Sequence, residues 1–169
     1  MEYEVVVYKD LDYVAFRCNN PERQHYTLDI GCCDAPNGDV NCDIFTHGTK
    51  EHLAQWEGER DMNVRSIPNF VQCDAQYLPF KDNAFTEVSA SQVLEHIPNY
   101  IQALCEFIRV ANHAVYISVP AVEKEIFPEM HLHFFHPRTF GNALRYVGFR
   151  GRWIVHRAFD MLVFLLQKE

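Results

Sequence analysis

Thr27-Leu28-Asp29-Ile30-Gly31-Cys32-Cys33, then Val40-Asn41-Cys42-Asp43-Ile44, Cys73-Asp74-Ala75-Gln76-Tyr77-Leu78-Pro79-Phe80 and Ser91-Gln92-Val93-Leu94-Glu95-His96-Ile97-Pro98 are the stretches of this 169-residue chain that decide its fold. Thr27 to Ile30 reads as a buried strand ending in a turn of small residues. Two later apolar strands each end in a carboxylate, Asp43 and Asp74. In an open, doubly wound sheet a ligand lies outside the carboxyl ends of the strands, where the first strand turns tightly beneath it.

The residue types suit an adenosyl group. A carboxylate after the second strand can accept two hydrogen bonds from a ribose diol, and such charge-assisted bonds are stronger than neutral ones. Asp43 holds that place, and Asp74, after the short strand Asn69 to Cys73, is placed to accept from an exocyclic amine while Ala75 leaves room for the ring.

At these positions the chain resembles the class I S-adenosylmethionine-dependent methyltransferases, type 11 group. Leu28-Asp29-Ile30-Gly31-Cys32 resembles the family's L-D-I-G-C-G, and Asn41, Asp43 and Ile44 its N-x-D-I. Asp74, Ala75, Leu78, Pro79, Phe80, Asp82, Phe85 and Val88 follow its D-A-x-x-L-P-F-x-D-x-x-F-D-x-V, and Leu94 to Ile97 its L-E-H-I. Glu106, Arg109 and Val110 look like its E-x-x-R-V, and His131 to Phe135 and Gly148-Phe149 like its later H-L-H-F-F and G-F. The resemblance runs in order from about Thr27 to the C-terminus. It implies an α/β fold: a Rossmann-like, doubly wound, mostly parallel sheet with an antiparallel C-terminal strand and helices on both faces. S-adenosylmethionine is the implied cofactor, with Asp29, Gly31, Cys32, Cys33, Asp43, Ile44, Asp74, Ala75 and Ser91 as its binding residues. Three positions depart from the pattern: Cys33 replaces a glycine, Thr86 an aspartate, and Asn112-His113 part of a proline-glycine-glycine turn.

Composition agrees with one methyltransferase-like domain over 1–169, with residues 1–24 as an N-terminal hairpin and loop. Apolar residues make up 48% of the chain, enough for a buried sheet, and no run approaches the ~20 apolar residues of a membrane span. Met1-Glu2-Tyr3-Glu4 is unlike a secretory signal, so a cytoplasmic location is expected. The net charge of −8 argues against a generic nucleic-acid binder, and Arg145, Arg150, Arg152 and Arg157 read as a solvated edge. Six cysteines without zinc-ribbon spacing read as reduced thiols.

Along the chain, Glu4 to Tyr8 and Tyr13 to Cys18 predict a hairpin. Asp34-Ala35-Pro36-Asn37-Gly38-Asp39 is turn chemistry, so the first crossover is abbreviated: Gly31 and Asp43 lie twelve positions apart, against the ~20 of a dinucleotide fold. A polar helix is expected between Gly48 and Asp61. Another runs from Tyr100 to Val110 with Asn99 as its cap, and a third begins at His136-Pro137 and stops at Gly148. Ala114 to Val119 is the fifth strand, and Trp153 to His156 with Met161 to Leu166 form a closing pair. Glu123 to Pro128 reads as a short lid or surface loop.

Methyl transfer is an in-line displacement that depends chiefly on aligning the reactants, with a base required only when the acceptor must lose a proton. Histidine exchanges protons near neutral pH, and His96, His131 and His133 are the catalytic candidates, with His136 nearby. The resemblance places His96 opposite the transferred methyl. His131-x-His133-x-x-His136 has spacing compatible with a metal, yet a structural role outweighs it and no metal is expected. The expected partner is a small-molecule acceptor, with a homodimer or protein partner as a further expectation and no membrane. Two other readings compete: a non-catalytic binding module of the same fold that acts with a partner, and a nicotinamide-dependent oxidoreductase, which the missing G-x-G-x-x-G disfavours.

Overall fold

The computed structural model describes residues 3–8, 13–18, 26–45, 63–121 and 131–169, the first two segments as backbone alone. Strands β1 (Tyr3–Tyr8) and β2 (Tyr13–Cys18) form the expected antiparallel hairpin. Seven further strands make one sheet: β3 (Thr27–Ile30), β4 (Val40–Asp43), β5 (Phe70–Gln72), β6 (Phe85–Ser91), β7 (Ala111–Pro120), β8 (Gly151–Ala158) and β9 (Met161–Lys168). Their order is β5-β4-β3-β6-β7-β9-β8. The first five are parallel, and β9 enters antiparallel between β7 and β8. This is the expected doubly wound, mostly parallel sheet. From β3 the chain steps outward to β4 and β5 and then returns to β6 on the other side of β3. The β3/β6 junction is therefore the switch point, where the carboxyl ends of the strands leave a crevice.

Two helices are described. Helix α1 (Tyr100–Val110) is capped by Asn99, whose Oδ1 accepts from the Gln102 amide at 3.2 Å. Its buried stripe of Ala103, Leu104, Phe107 and Val110 has the helical spacing read from the sequence. Helix α2 (Pro137–Tyr146) has His136 as its cap: Nδ1 accepts from the Arg138 amide, and Thr139 Oγ1 accepts from the His136 amide. Proline at the first position is preset for helical φ. Phe140 of α2 stacks on Phe164 of β9, with ring centroids 3.9 Å apart and planes 19° from parallel. Burying each of these large side chains contributes about 1.5–3 kcal/mol.

The sheet's two faces differ. Leu28, Ile30, Val40, Cys42, Val88, Ala90, Val115, Ile117 and Phe164 join α1 and α2 in the main core. Alternation along the strands places Asp29, Asn41, Glu87 and Ser89 on the opposite face, where the two carboxylates and the amide are buried. A parallel sheet covered by helices usually carries apolar residues on both faces. For Asp29 and Asn41 the reason is the short first crossover. Residues 34–39 form turns, and their backbone amides need acceptors: Asp29 Oδ2 takes the Asn37 amide at 3.0 Å, and Asn41 Oδ1 takes the Gly38 amide at 2.9 Å. Asn41 Nδ2 returns bonds to the carbonyls of Gly38 and Pro68. Gly38 lies so close to β3 that a Cβ there would sit 2.7 Å from the Asp29 amide nitrogen.

Several strand boundaries differ from the sequence expectation. Strand β7 begins at Ala111, directly after α1: Ala111 pairs with Phe85, and Asn112 and His113 form an irregularity within the strand, not a turn, before Ala114 pairs with Glu87. Strand β5 is confined to Phe70–Gln72, since Asn69 has φ +47 and cannot extend it. Strand β8 starts at Gly151, two residues before Trp153. The helix expected between Gly48 and Asp61 and the lid at Glu123 to Pro128 lie outside the described residues. Among the described residues no helix is long and apolar enough to cross a membrane.

Candidate functional site

The turn after β3 is built around two residues in the left-handed region, Gly31 (φ +71) and Cys33 (φ +46). Gly31 suits it, both for its φ and because a Cβ there would collide with Val93, whose side chain lies over the turn. Cys33 carries a Cβ in a conformation that costs an ordinary residue about 1–2 kcal/mol. The amides of Gly31 and Cys32 both donate to the Cys42 carbonyl, at 2.8 and 3.1 Å, fixing the turn against β4. Cys32 packs on Ile67, and burial pushes its thiol up to about 12.

Asp43, at the carboxyl end of β4, holds the turn as well. Its Oδ2 accepts from the Cys33 amide and its Oδ1 from the Phe45 amide, each at 3.0 Å. A carboxylate has about four acceptor sites, so among the described residues one site on each oxygen is left for a diol. Ile44 beside it is 51% exposed, an apolar surface open at the sheet edge.

Asp74 follows β5. Its Oδ1 accepts from the Gln76 amide at 2.8 Å, and the Gln76 side-chain amide donates to both oxygens at 3.1 Å. Gln76 also accepts from the Asn99 amide, joining Asp74 to the start of α1. Sequence reasoning missed Gln76; its signal was an amide two residues after an aspartate, the spacing of a local side-chain turn. Ala75 is partly buried against the core.

Asp29 is only 4% exposed, and its oxygens are engaged by Asn37 and by Ser89 Oγ at 2.9 Å. Burial raises its carboxyl from 3.8 to about 6, with the Asp43 charge adding to the effect. Ser91 shares a 2.7 Å hydroxyl contact with Ser118 of β7. Hydrogen bonding between the thiols of Cys42 and Cys73 pushes Cys42 up and Cys73 down. The five cysteines with described side chains are all free thiols.

Across the switch point, β6 leads through Gln92 and Val93 into a 3-10 turn, Leu94–His96. His96 faces His131, with ring centroids 4.8 Å apart. The two residues are 35 positions apart in sequence and meet because the amides of Leu132 and His133 donate to the Glu95 carbonyl, at 2.8 and 3.2 Å. His133 is turned elsewhere: its Nε2–H donates to the carbonyls of Ile97 and Pro98, and its ring packs on Tyr100. His136 is occupied as the α2 cap. Burial lowers the pKa of His131. Glu95, which the sequence offered only as part of a motif, is completely buried beside His96, with Oε1 3.9 Å from Nε2.

Glu106 and Arg109 serve the frame. Arg109 donates to Glu106, to Asp82 and to the carbonyls of Phe80 and Leu78, while Glu106 accepts from the Leu78 amide. Together they pin the loop after Asp74 onto α1. The Arg109 hydrogen bond holds the Glu106 carboxyl below its usual value.

A cavity of about 280 Å³ lies beyond the carboxyl end of β7, lined by Ala121, Phe135, His136, Pro137, Val155 and Leu162, with Arg157 also on its wall.

Comparison with known proteins agrees with this architecture. A family model described as "Methyltransferase domain" matches residues 28–118. The ubiquinone/menaquinone biosynthesis C-methyltransferase UbiE of Xylella fastidiosa is 33% identical over 73 residues, covering 43% of this chain and 26% of that protein. The chain therefore spans about a quarter of the length of the curated relative it matches. Among solved structures, a SAM-dependent methyltransferase of Thermotoga maritima, described as a possible histamine N-methyltransferase, superposes with a TM-score of 0.65 at 12% identity, covering 88% of this chain and 84% of that one. A putative methyltransferase solved with the Haloferax volcanii activator Trm112 gives 0.57 at 12%, covering 89% and 86%. At such identities the structures share a fold.

Proposed function

This chain belongs to the methyltransferase-domain family, and on that premise we propose that it binds S-adenosylmethionine and transfers its methyl group to a small-molecule acceptor. The observation that carries the reading is the convergence of the Gly31 turn, Asp43 and Asp74 on one sheet edge at the switch point, with His96 and His131 across it. Among the described residues Asp43 keeps one acceptor site per oxygen, which suits the two ribose hydroxyls. Ile44 offers an apolar face for the adenine ring, and Asp74 a remaining acceptor site on Oδ2 for its amine. The small-residue turn of Gly31, Cys32 and Cys33 is the part of the site that would meet the amino-acid part.

When bound, the cofactor supplies an electrophilic methyl carbon on a sulfonium. The protein's contribution is placement: Val93 and the 3-10 turn carry the chain from β6 to His96, and the backbone bonds to Glu95 bring His131 beside it. Both rings can then orient the acceptor or take its proton. The mostly apolar cavity at β7, with Arg157 on its wall, suits a small apolar acceptor bearing a polar group.

Calorimetric titration with S-adenosylmethionine and S-adenosylhomocysteine, run beside NAD and repeated on Asp43→Asn, tests the reading. Saturable binding of the adenosyl ligands, weakened about tenfold or more in the variant, is expected from the loss of a charge-assisted bond. Absence of binding at millimolar ligand, with the protein folded, would replace it with a non-catalytic module. Selective NAD binding would overturn it outright.

A further inference from the structure

The geometry points to a divalent transition-metal site formed by Glu95, His96 and His131. Among the described residues, these three present one ligand atom each, all within 4.8 Å of one another. Two imidazole nitrogens and one carboxylate oxygen are a donor set used for zinc and for non-haem iron with open coordination positions. Around a tetrahedral ion with bonds near 2.0–2.2 Å, ligand atoms lie about 3.4 Å apart, so the three atoms need to draw together only slightly to hold one.

Three features make this a built arrangement. Glu95 is completely buried, so packing holds its carboxylate in one place beside the imidazole of His96, with Oε1 3.9 Å from Nε2. The ligands come from two segments locked together by four hydrogen bonds: the amides of Leu132 and His133 to the Glu95 carbonyl, and the His133 ring to the carbonyls of Ile97 and Pro98. His133 is thus a positioning residue for His131, not a ligand. Finally, the His96 side chain remains 30% exposed, which leaves a side of the site open to water or to a bound molecule.

This departs from the sequence expectation, which looked for metal ligands in His131, His133 and His136 and expected none to bind. Those three are separated by the fold: His133 is spent on backbone carbonyls and His136 on the cap of α2. On the reading of the chain as a methyltransferase, the open positions of the metal would take an oxygen or nitrogen of the acceptor. Metal binding itself does not depend on that reading.

The test is titration of chelator-treated full-length protein with cobalt(II), followed by its visible ligand-field absorption, and then displacement by zinc(II). One equivalent of cobalt with an imidazole-type spectrum is expected, with affinity reduced at least tenfold in His96→Ala and in His131→Ala and unchanged in the surface control His156→Ala. Both variants alter partly exposed side chains; circular dichroism establishes that they fold, and Glu95→Gln, which preserves shape, provides a third arm. A pair in which Glu95 merely orients His96 as a base would bind no cobalt, and that result overturns the proposal. Binding that survives both histidine substitutions overturns it equally. S-adenosylhomocysteine affinity measured on the same preparations separates the two readings: cobalt binding without adenosyl binding retains the metal site and removes the methyl-transfer assignment.

Discussion

Replacing Asp29 by asparagine should stabilise the protein at neutral and alkaline pH. Asp29 is 4% exposed, and burial raises its carboxyl from 3.8 to about 6. Between those values the folded state holds a proton that the unfolded chain has released, so stability falls as pH rises through the window. Above pH 6 the loss is complete and amounts to about 3 kcal/mol, at 1.36 kcal/mol per pKa unit. Asparagine cannot ionise, yet it can keep both contacts. Its Oδ1 accepts from the Asn37 amide, and its Nδ2 donates to Ser89 Oγ, whose own proton can turn to the Leu28 carbonyl 3.4 Å away. Allowing for imperfect replacement, the expected gain at pH 8 is about 1–3 kcal/mol, a rise in melting temperature of roughly 2–4 °C per kcal/mol for a domain of this size. Little difference is expected at pH 4. Urea denaturation at pH 4, 6 and 8 reads the effect. A variant less stable than the parent at pH 8, or one whose stability declines between pH 4 and 6 as steeply as the parent's, would refute the argument that Asp29 is held above its normal ionisation range.

Cys33→Gly removes a Cβ from a residue at φ +46 and should stabilise the turn by about 1 kcal/mol, with adenosyl-ligand affinity equal or higher; a loss of stability in chemical denaturation would show that the cysteine is not strained there. Gly31→Ala drives a methyl group into Val93 at a φ of +71, so a fall of at least 2 kcal/mol and loss of ligand binding are expected by melting and calorimetry. Arg109→Met cuts the bonds to Glu106, Asp82, Phe80 and Leu78 and should cost about 2–4 kcal/mol. Because Glu106 is held below its usual value chiefly by Arg109, the parent's contribution from this group is present above the unfolded value of 4.5 and lost as pH falls through the lower folded value, so the variant's acid denaturation curve should show a shallower loss there.

The sequence by itself determined the elements and their order. Helical spacing and the Asn99 cap gave α1 to the residue, the turn residues at 34–39 announced that no helix follows β3, and the positions of Asp43 and Asp74 marked the carboxyl ends of two strands before any fold was known. These features are local: a cap, a period or a turn is set by residues within a few positions of one another. What the alternation in Leu28-Asp29-Ile30 meant was decided by tertiary structure, since the need for a buried acceptor arises only where the 34–39 turns lie across the sheet. The sorting of the histidines was likewise hidden. His96 meets His131 and not His133 because backbone bonds to Glu95 fix the register between two segments far apart in sequence, while the His133 ring is held by the carbonyls of Ile97 and Pro98. Burial of Glu95 has the same origin. A carboxylate in a motif carries no sign of its surroundings, and those surroundings form only when distant segments pack together.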